Sequence, residues 1–102
     1  MRYQLVIQCP ASSISDYDAM IALEEELSKA AATDGELDGH DFGSGEMNIF
    51  FFTETPEALF ERLRPLLKSQ DRLASVRVAF RDVSKDEYEV LWPPDLQRFE
   101  IS

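Results

Sequence analysis

The side chains of this sequence that could do chemistry are concentrated in residues 38–46. This stretch holds the single histidine, His40, the carboxylates of Asp38, Asp41 and Glu46, the hydroxyl of Ser44, and three of the four glycines. Carboxylate oxygens and imidazole nitrogens bind hard or borderline cations, so one interpretation is a metal site. A second interpretation is acid-base catalysis, in which Asp38 or Asp41 orients the imidazole of His40.

Both chemical interpretations of this stretch meet a geometric objection. On a strand, Asp38 and His40 share a face while Asp41 points the other way, and a structural zinc site needs more nitrogen or sulfur ligands than one histidine supplies. No nucleophile or phosphate-loop lysine accompanies them. The residues instead favour a hairpin loop whose glycines allow positive φ and whose polar side chains bind backbone amides. We therefore expect no metal, no cofactor and no catalytic residue here.

Cys9 is the only cysteine. A single cysteine excludes an internal disulfide and agrees with a reducing compartment. Because it ends a predicted strand just before Pro10, we expect a small buried hydrophobic group and not a nucleophile. No apolar run approaches the roughly 20 residues that span a bilayer. The sequence predicts a soluble, cytoplasmic protein with no membrane partner.

Charge is distributed unevenly along the chain, whose formal net charge is −10. Residues 15–61 contain thirteen acidic residues and one basic residue, whereas residues 62–81 contain six basic residues and one acidic residue. This balance opposes the counterion release that drives nucleic-acid binding, so we expect no nucleic-acid partner. It predicts an acidic lobe that either is simply solvated or steers a basic protein toward the chain.

Hydrophobic periodicity defines the elements that position these side chains. Alternation predicts strands, and three-to-four spacing predicts helices. The first helix has Ser15 as its cap, and the second begins with Thr55 as cap and Pro56 in the first turn. The predicted strands are residues 3–8, 36–41, 46–53, 74–81 and 87–92, and the first helix is residues 16–32.

The order strand, helix, strand, strand, helix, strand resembles the ferredoxin-like (split βαβ) superfold, with one strand added at the C-terminal end. The resemblance implies an α+β sandwich with an antiparallel sheet and two helices on one face, over a single domain at residues 1–92 followed by a tail at 93–102. Residues 38–48 and 88–93 are also similar to segments of small uncharacterised bacterial proteins. Because this superfold hosts unrelated functions, the resemblance transfers no activity.

The third strand places large apolar side chains on both faces of the sheet. Phe50 and Phe52 point to one face and Phe51 to the other, while Arg77 and Arg81 point outward from the fourth strand. Two helices on one face leave the second face to be covered by the C-terminal tail, covered by a second copy of the chain, or open as a binding surface.

These features predict a domain that acts by binding protein or by self-association, and not by catalysis. One form is a homodimer packed sheet to sheet. Phe50, Phe52, Arg77 and Arg81 are, with the residues of the hairpin, candidates for the ligand or partner surface. The other is an immunity-type or regulatory protein that blocks a basic partner, with the hairpin carboxylates and the three glutamates at residues 24–26 as steering charge. The alternative is a small-ligand or metal-binding domain, possibly enzymatic, that uses the hairpin loop.

Overall fold

A computed structural model describes residues 2–10, 14–43 and 45–101, with the backbone alone for residues 14–16. The chain forms five strands and two helices. In chain order these are β1 (Tyr3–Pro10), α1 (Ile14–Ala31), β2 (Glu36–Gly43), β3 (Glu46–Thr53), α2 (Pro56–Ser69), β4 (Arg77–Asp82) and β5 (Glu89–Trp92).

The strands form one antiparallel sheet in the order β2-β3-β1-β4-β5. The predicted α+β class, with two helices and a five-stranded antiparallel sheet, is confirmed. β1 and β3 lie inside the sheet, and β2 and β5 are its edges. The ferredoxin-like assignment and the division at residue 92 stay predictions. Within the described ranges, neither helix is both long enough and apolar enough to cross a bilayer.

The main core lies between the sheet and the two helices. In β1, Leu5 and Ile7 face the helices and are fully buried, because strand alternation places every second side chain on that face. In β4 the same alternation buries Val78 and Phe80, as predicted. The helices contribute a periodic apolar face. The residues of α2 that close the core are Leu59, Phe60, Leu63 and Leu67.

The start of α2 differs from the prediction in one respect. Pro56 lies in the first turn, as expected, but Thr55 makes no side-chain cap hydrogen bond. The amide of Thr55 instead donates to the hydroxyl of Thr53 at 3.0 Å, and that hydroxyl donates to the backbone oxygen of Asp34 at 2.6 Å. The Thr53 hydroxyl thus joins the end of β3 to the segment before β2. Thr55 occupies the N-cap position, as predicted, and its backbone oxygen accepts from the amide of Leu59 at 2.9 Å, but its side chain does not cap the helix.

Element boundaries shift where local turns replace a predicted extension. α1 ends at Ala31, one residue early, because Ala32 has a positive φ of 51°. The predicted cap at Ser15 lies outside the described side chains. β4 begins at residue 77 and not 74, since the amides of Ser75 and Val76 both donate to the oxygen of Arg72 in a turn. β5 begins two residues later than predicted, and β2 continues two residues further.

Adjacent phenylalanines in β3 offer a test of the two faces. Phe51 is fully buried in the main core, whereas Phe52 is only partly buried. We expect Phe51→Ala to lower the free energy of unfolding by about 3 to 5 kcal/mol, and Phe52→Ala by clearly less, because truncating the more deeply buried ring leaves the larger cavity. Urea unfolding followed by circular dichroism measures both. Equal destabilisation by the two variants would contradict the assignment of faces.

Candidate functional site

The predicted hairpin loop is formed by the end of β2 and the start of β3. Gly43 at the end of β2 pairs with Glu46 at the start of β3, so the two strands form a tight hairpin. Gly45 has a φ of +76°, and Gly39 has a φ of +128° at a bulge that follows Leu37. Two glycines therefore occupy backbone conformations that other residues adopt only with strain. Ser44, one of the predicted site residues, lies outside the described residues.

His40 bonds to a helix and not to its neighbours on the strand. Its Nδ1 atom lies 2.7 Å from Oε2 of Glu24 in α1, and the two side chains are 30% and 12% exposed. His40 pairs with Ile49, whose side chain is in the main core, so the imidazole points to the helix side of the sheet. Asp41, the next residue, points to the other side. The pairing of His40 with Asp38 or Asp41 that the acid-base interpretation requires does not form.

The carboxylates of the hairpin do not converge on one point. Within residues 2–10, 17–43 and 45–101, no group of three or more histidine, cysteine, aspartate or glutamate side chains is placed to hold a metal ion. The chemistry that the geometry offers at His40 is a single imidazole-carboxylate contact, which ties β2 to α1.

An exposed aromatic pair lies on the same edge of the molecule. The rings of Tyr17 in α1 and Phe42 in β2 meet edge to face, with centroids 5.4 Å apart and planes at 67°. Their exposed fractions are 38% and 43%, and among the described residues Val83 is the only other exposed large hydrophobic residue. Sequence reasoning missed this pair, because only the packing of α1 on the sheet brings the two residues together. The signal it could have used is Phe42 itself, an apolar side chain on the same face as His40.

Three carboxylates on β2 have no cationic partner among the described residues. Glu36, Asp38 and Asp41 are exposed, and none takes part in an ion pair or side-chain hydrogen bond in the described part of the chain. Other acids are engaged: Asp34 binds Arg62 at 2.6 Å. We call this surface the acidic edge. It consists of Tyr17, Glu36, Asp38, Asp41 and Phe42.

The backbone of β2 is also unpaired along the acidic edge. β2 is the terminal strand of the sheet and pairs only with β3. Over the described ranges, none of the backbone hydrogen bonds from turns or loops reaches it. An edge strand of this kind presents amide and carbonyl groups to whatever lies beside it.

The second face of the sheet is covered at its centre by the C-terminal tail. Phe99 is buried against Val6 and Ala79, and its ring lies 5.0 Å from that of Tyr88. The Nε2 group of Gln8 donates both to the backbone oxygen of Glu100 at 3.0 Å and to Oδ1 of Asn48 at 3.1 Å. Of the three predicted alternatives for this face, which were the tail, a second copy of the chain and an open binding surface, the structure therefore shows the tail.

The remaining predicted surface residues, which are Phe50, Phe52, Arg77 and Arg81, differ in their contacts. Phe50 packs against the tail cluster, and Phe52 belongs to neither hydrophobic cluster. The guanidinium of Arg81 donates to Gln4 Oε1 at 3.1 Å and to the backbone oxygens of Val83 and Lys85. Arg77 is exposed at the start of β4. Arg81 is therefore largely occupied within its own chain.

A shallow groove lies at the opposite end of the sheet from the hairpin turn. It has a volume of about 480 Å³ and is lined in part by Tyr3, Glu57, Phe80 and Glu89. Close to it, the amide and hydroxyl of Ser84, followed by Arg2, lower the pKa of Asp82 to about 2. These contacts hold the β4–β5 turn. The groove brings none of the predicted site residues together.

Comparison of the chain with models of protein families, with curated proteins and with solved structures gives no match. No site residue, activity or partner is therefore transferred from another protein. The class of molecule that the fold and its surface define is a small α+β domain with an acidic, unpaired sheet edge.

The tail contact can be tested through Phe99. We expect Phe99→Ala to lower the free energy of unfolding by about 3 kcal/mol, because a buried aromatic side chain is removed from between two strands and Tyr88. Arg98→Ala is the matched control, since Arg98 is 83% exposed and should cost less than about 0.5 kcal/mol. Denaturant unfolding measures both. A loss at Phe99 no larger than that at Arg98 would show that the tail does not pack on the sheet in solution.

Cys9 offers a test of the buried end of β1. It is 1% exposed, and burial raises the pKa of its thiol to about 11, with a smaller opposing effect from Arg72. Because only the thiolate reacts, we expect labelling by an aromatic disulfide reagent at pH 8 to be at least about 100-fold slower in the native protein than in the denatured one. Native labelling at the denatured rate would contradict the structural role of Cys9.

Proposed function

We propose that this chain is a protein-binding domain that uses the acidic edge to bind a basic protein partner, and that it acts without catalysis. The observation that carries the proposal is the exposed contact between Tyr17 in α1 and Phe42 in β2, which lies at the open edge of the sheet next to carboxylates without cationic partners. Contiguous exposed apolar surface that is rimmed by polar residues is characteristic of interaction sites.

The composition of the acidic edge matches that of a binding interface. Interfaces place aromatic residues at the centre, where they carry most of the affinity, and charged residues at the rim. Here Tyr17 and Phe42 are the candidate centre, and Asp38, Asp41 and Glu36 are the candidate rim. Rim charges act mainly on the association rate and on the choice of partner. Thirteen acidic residues between positions 15 and 61 add a long-range field of the same sign.

A regulatory or immunity-type role follows from this surface, because a domain that covers the basic site of a partner blocks that site. The homodimer has less support. Its sheet-to-sheet form needs the second face, and Phe99 already covers the centre of that face. An edge-to-edge form would bring the carboxylates of two β2 strands together.

The alternative, a small-ligand or metal site on the hairpin loop, is favoured by no specific contact in the described part of the chain, since His40 is engaged by Glu24. A ferredoxin-like assignment and a cytoplasmic location complete the proposal. The strand order and the two helices support the former, and a single buried thiol agrees with the latter.

The proposal predicts that partner capture depends on the acidic edge and not on charge in general. The immobilised wild-type protein is incubated with an extract of the source cells, and retained proteins are quantified by mass spectrometry. We expect Phe42→Ala, and separately Asp38→Asn with Asp41→Asn, to reduce capture of a basic protein at least about fivefold. The matched controls are Val83→Ala, which also shortens an exposed hydrophobic residue, and Asp86→Asn with Glu87→Gln, which removes the same charge elsewhere.

Two outcomes would overturn the proposed function. One is the absence of any retained basic protein that responds to the edge variants. The other is an equal loss with the control variants, which would assign the binding to net charge alone. Circular dichroism of each variant confirms that the fold is intact.

A further inference from the structure

We propose that the partner binds the acidic edge as an added β-strand: a short extended segment, with basic side chains alternating with apolar ones, pairs with β2 at residues 39–43. This inference rests on the proposed function and specifies the chemistry of the partner. Its first support is the backbone, because β2 pairs on one side only. Extended peptides are commonly bound in this way, with backbone hydrogen bonds supplying affinity and alternate side chains supplying specificity.

The register of β2 limits where the segment can lie. The pairing with β3 is regular from Gly39 with Phe50 to Gly43 with Glu46, and it is interrupted between Leu37 and Gly39 by a bulge. A bulge disrupts the ladder and twists the strand, so it stops an added strand from continuing past it. The available length is therefore five residues, which is roughly 16 to 17 Å of extended chain.

The two faces of this short strand differ in chemistry, which fixes the pattern of the segment. Phe42 and His40 face the helix side, because their partners in β3 are the core residues Met47 and Ile49. Asp41 faces the other side, together with its partner Asn48. An added strand places its own side chains beside those of β2 on each face. Apolar side chains of the segment would thus lie next to Phe42 and Tyr17, and basic ones next to Asp41.

Charge selects a basic segment over a second copy of this chain. Like charges directly opposite each other destabilise a strand pair, whereas opposite charges stabilise it. An antiparallel pair of two β2 strands centred on residues 39–43 would place the Asp41 carboxylates of the two copies opposite each other, and no lysine or arginine lies on this strand to offset them. Charged side chains on an edge strand protect it against self-pairing. The same side chains become favourable contacts for lysine or arginine.

The test uses a defined probe that separates backbone pairing from charge attraction. The probe is a capped heptapeptide of alternating lysine and valine with phenylalanine at its centre. The matched control is the same sequence with N-methyl groups on every backbone amide, which keeps every charge and removes the donors on both edges of the peptide. Each is titrated into the whole isotope-labelled protein, with calorimetry for affinity and NMR amide exchange for β2.

We expect the unmethylated peptide to bind at least about tenfold more tightly than the methylated one, because two or more backbone hydrogen bonds separate them. We also expect alternate amides between Gly39 and Gly43 to exchange more slowly in the complex, and Phe42→Ala to weaken binding while Val83→Ala does not.

Equal affinity of the two peptides would overturn the added strand and leave the proposed function intact, because binding would then depend on side chains alone. Failure of both peptides to bind at about 1 mM would also overturn it. The proposed function is tested separately, by the capture experiment with the variants of the acidic edge, so its failure can be distinguished from failure of the added strand. Protection of amides on β5 and not β2 would place the strand on the wrong edge and overturn the inference as well.

Discussion

The structure depends on β3, a central strand with large apolar side chains on both faces. Phe51 and Ile49 are buried under the helices, while Phe50 points to the opposite face. Apolar side chains of this size must be shielded from water on both faces of the sheet, and the two helices can cover only one face. The tail therefore crosses the second face and buries Phe99 against Val6 and Ala79. Because that face is occupied at its centre, the surfaces that remain for a partner are the edges and the outer faces of the helices.

The packing of α1 on the sheet, together with the contact between Glu24 and His40, determines which side chains meet at the β2 edge. That contact fixes α1 against β2 at one point, on the same face of the strand as Phe42. With the helix held there, its first turns bring Tyr17 over Phe42, and the two rings form a small apolar surface that neither element has alone. A contact of this exposure contributes little to folding, of the order of 1 kcal/mol or less. The buried residues of α1 hold the helix on the sheet, and the contact between Glu24 and His40 adds one point that aligns it with β2.

Much of the fold can be predicted from the sequence because its periodicity is strong. Val76, Val78 and Phe80 alternate as a half-buried strand should, and Leu59, Leu63 and Leu67 follow a helical spacing. The hairpin lies where it is predicted because glycines mark its turn. What the sequence does not supply depends on contacts between distant segments. The hydroxyl of Thr53, for example, accepts the amide of Thr55 while it bonds to the segment before β2, and nothing local signals that arrangement.

The tail and the acidic edge also depend on contacts between distant segments, which the sequence alone does not reveal. Phe99 and Ile101 alternate with charged residues, which is the pattern of a segment that lies on a sheet. Two apolar side chains are too few to predict that such a segment packs on the fold. The carboxylates of β2 are evident in the sequence, whereas what lies beside them is not. Only the topology shows that they lie along the open edge of the sheet. In the binding mode that we propose, one set of side chains both disfavours pairing of this edge with a second β2 and selects a basic segment as the added strand.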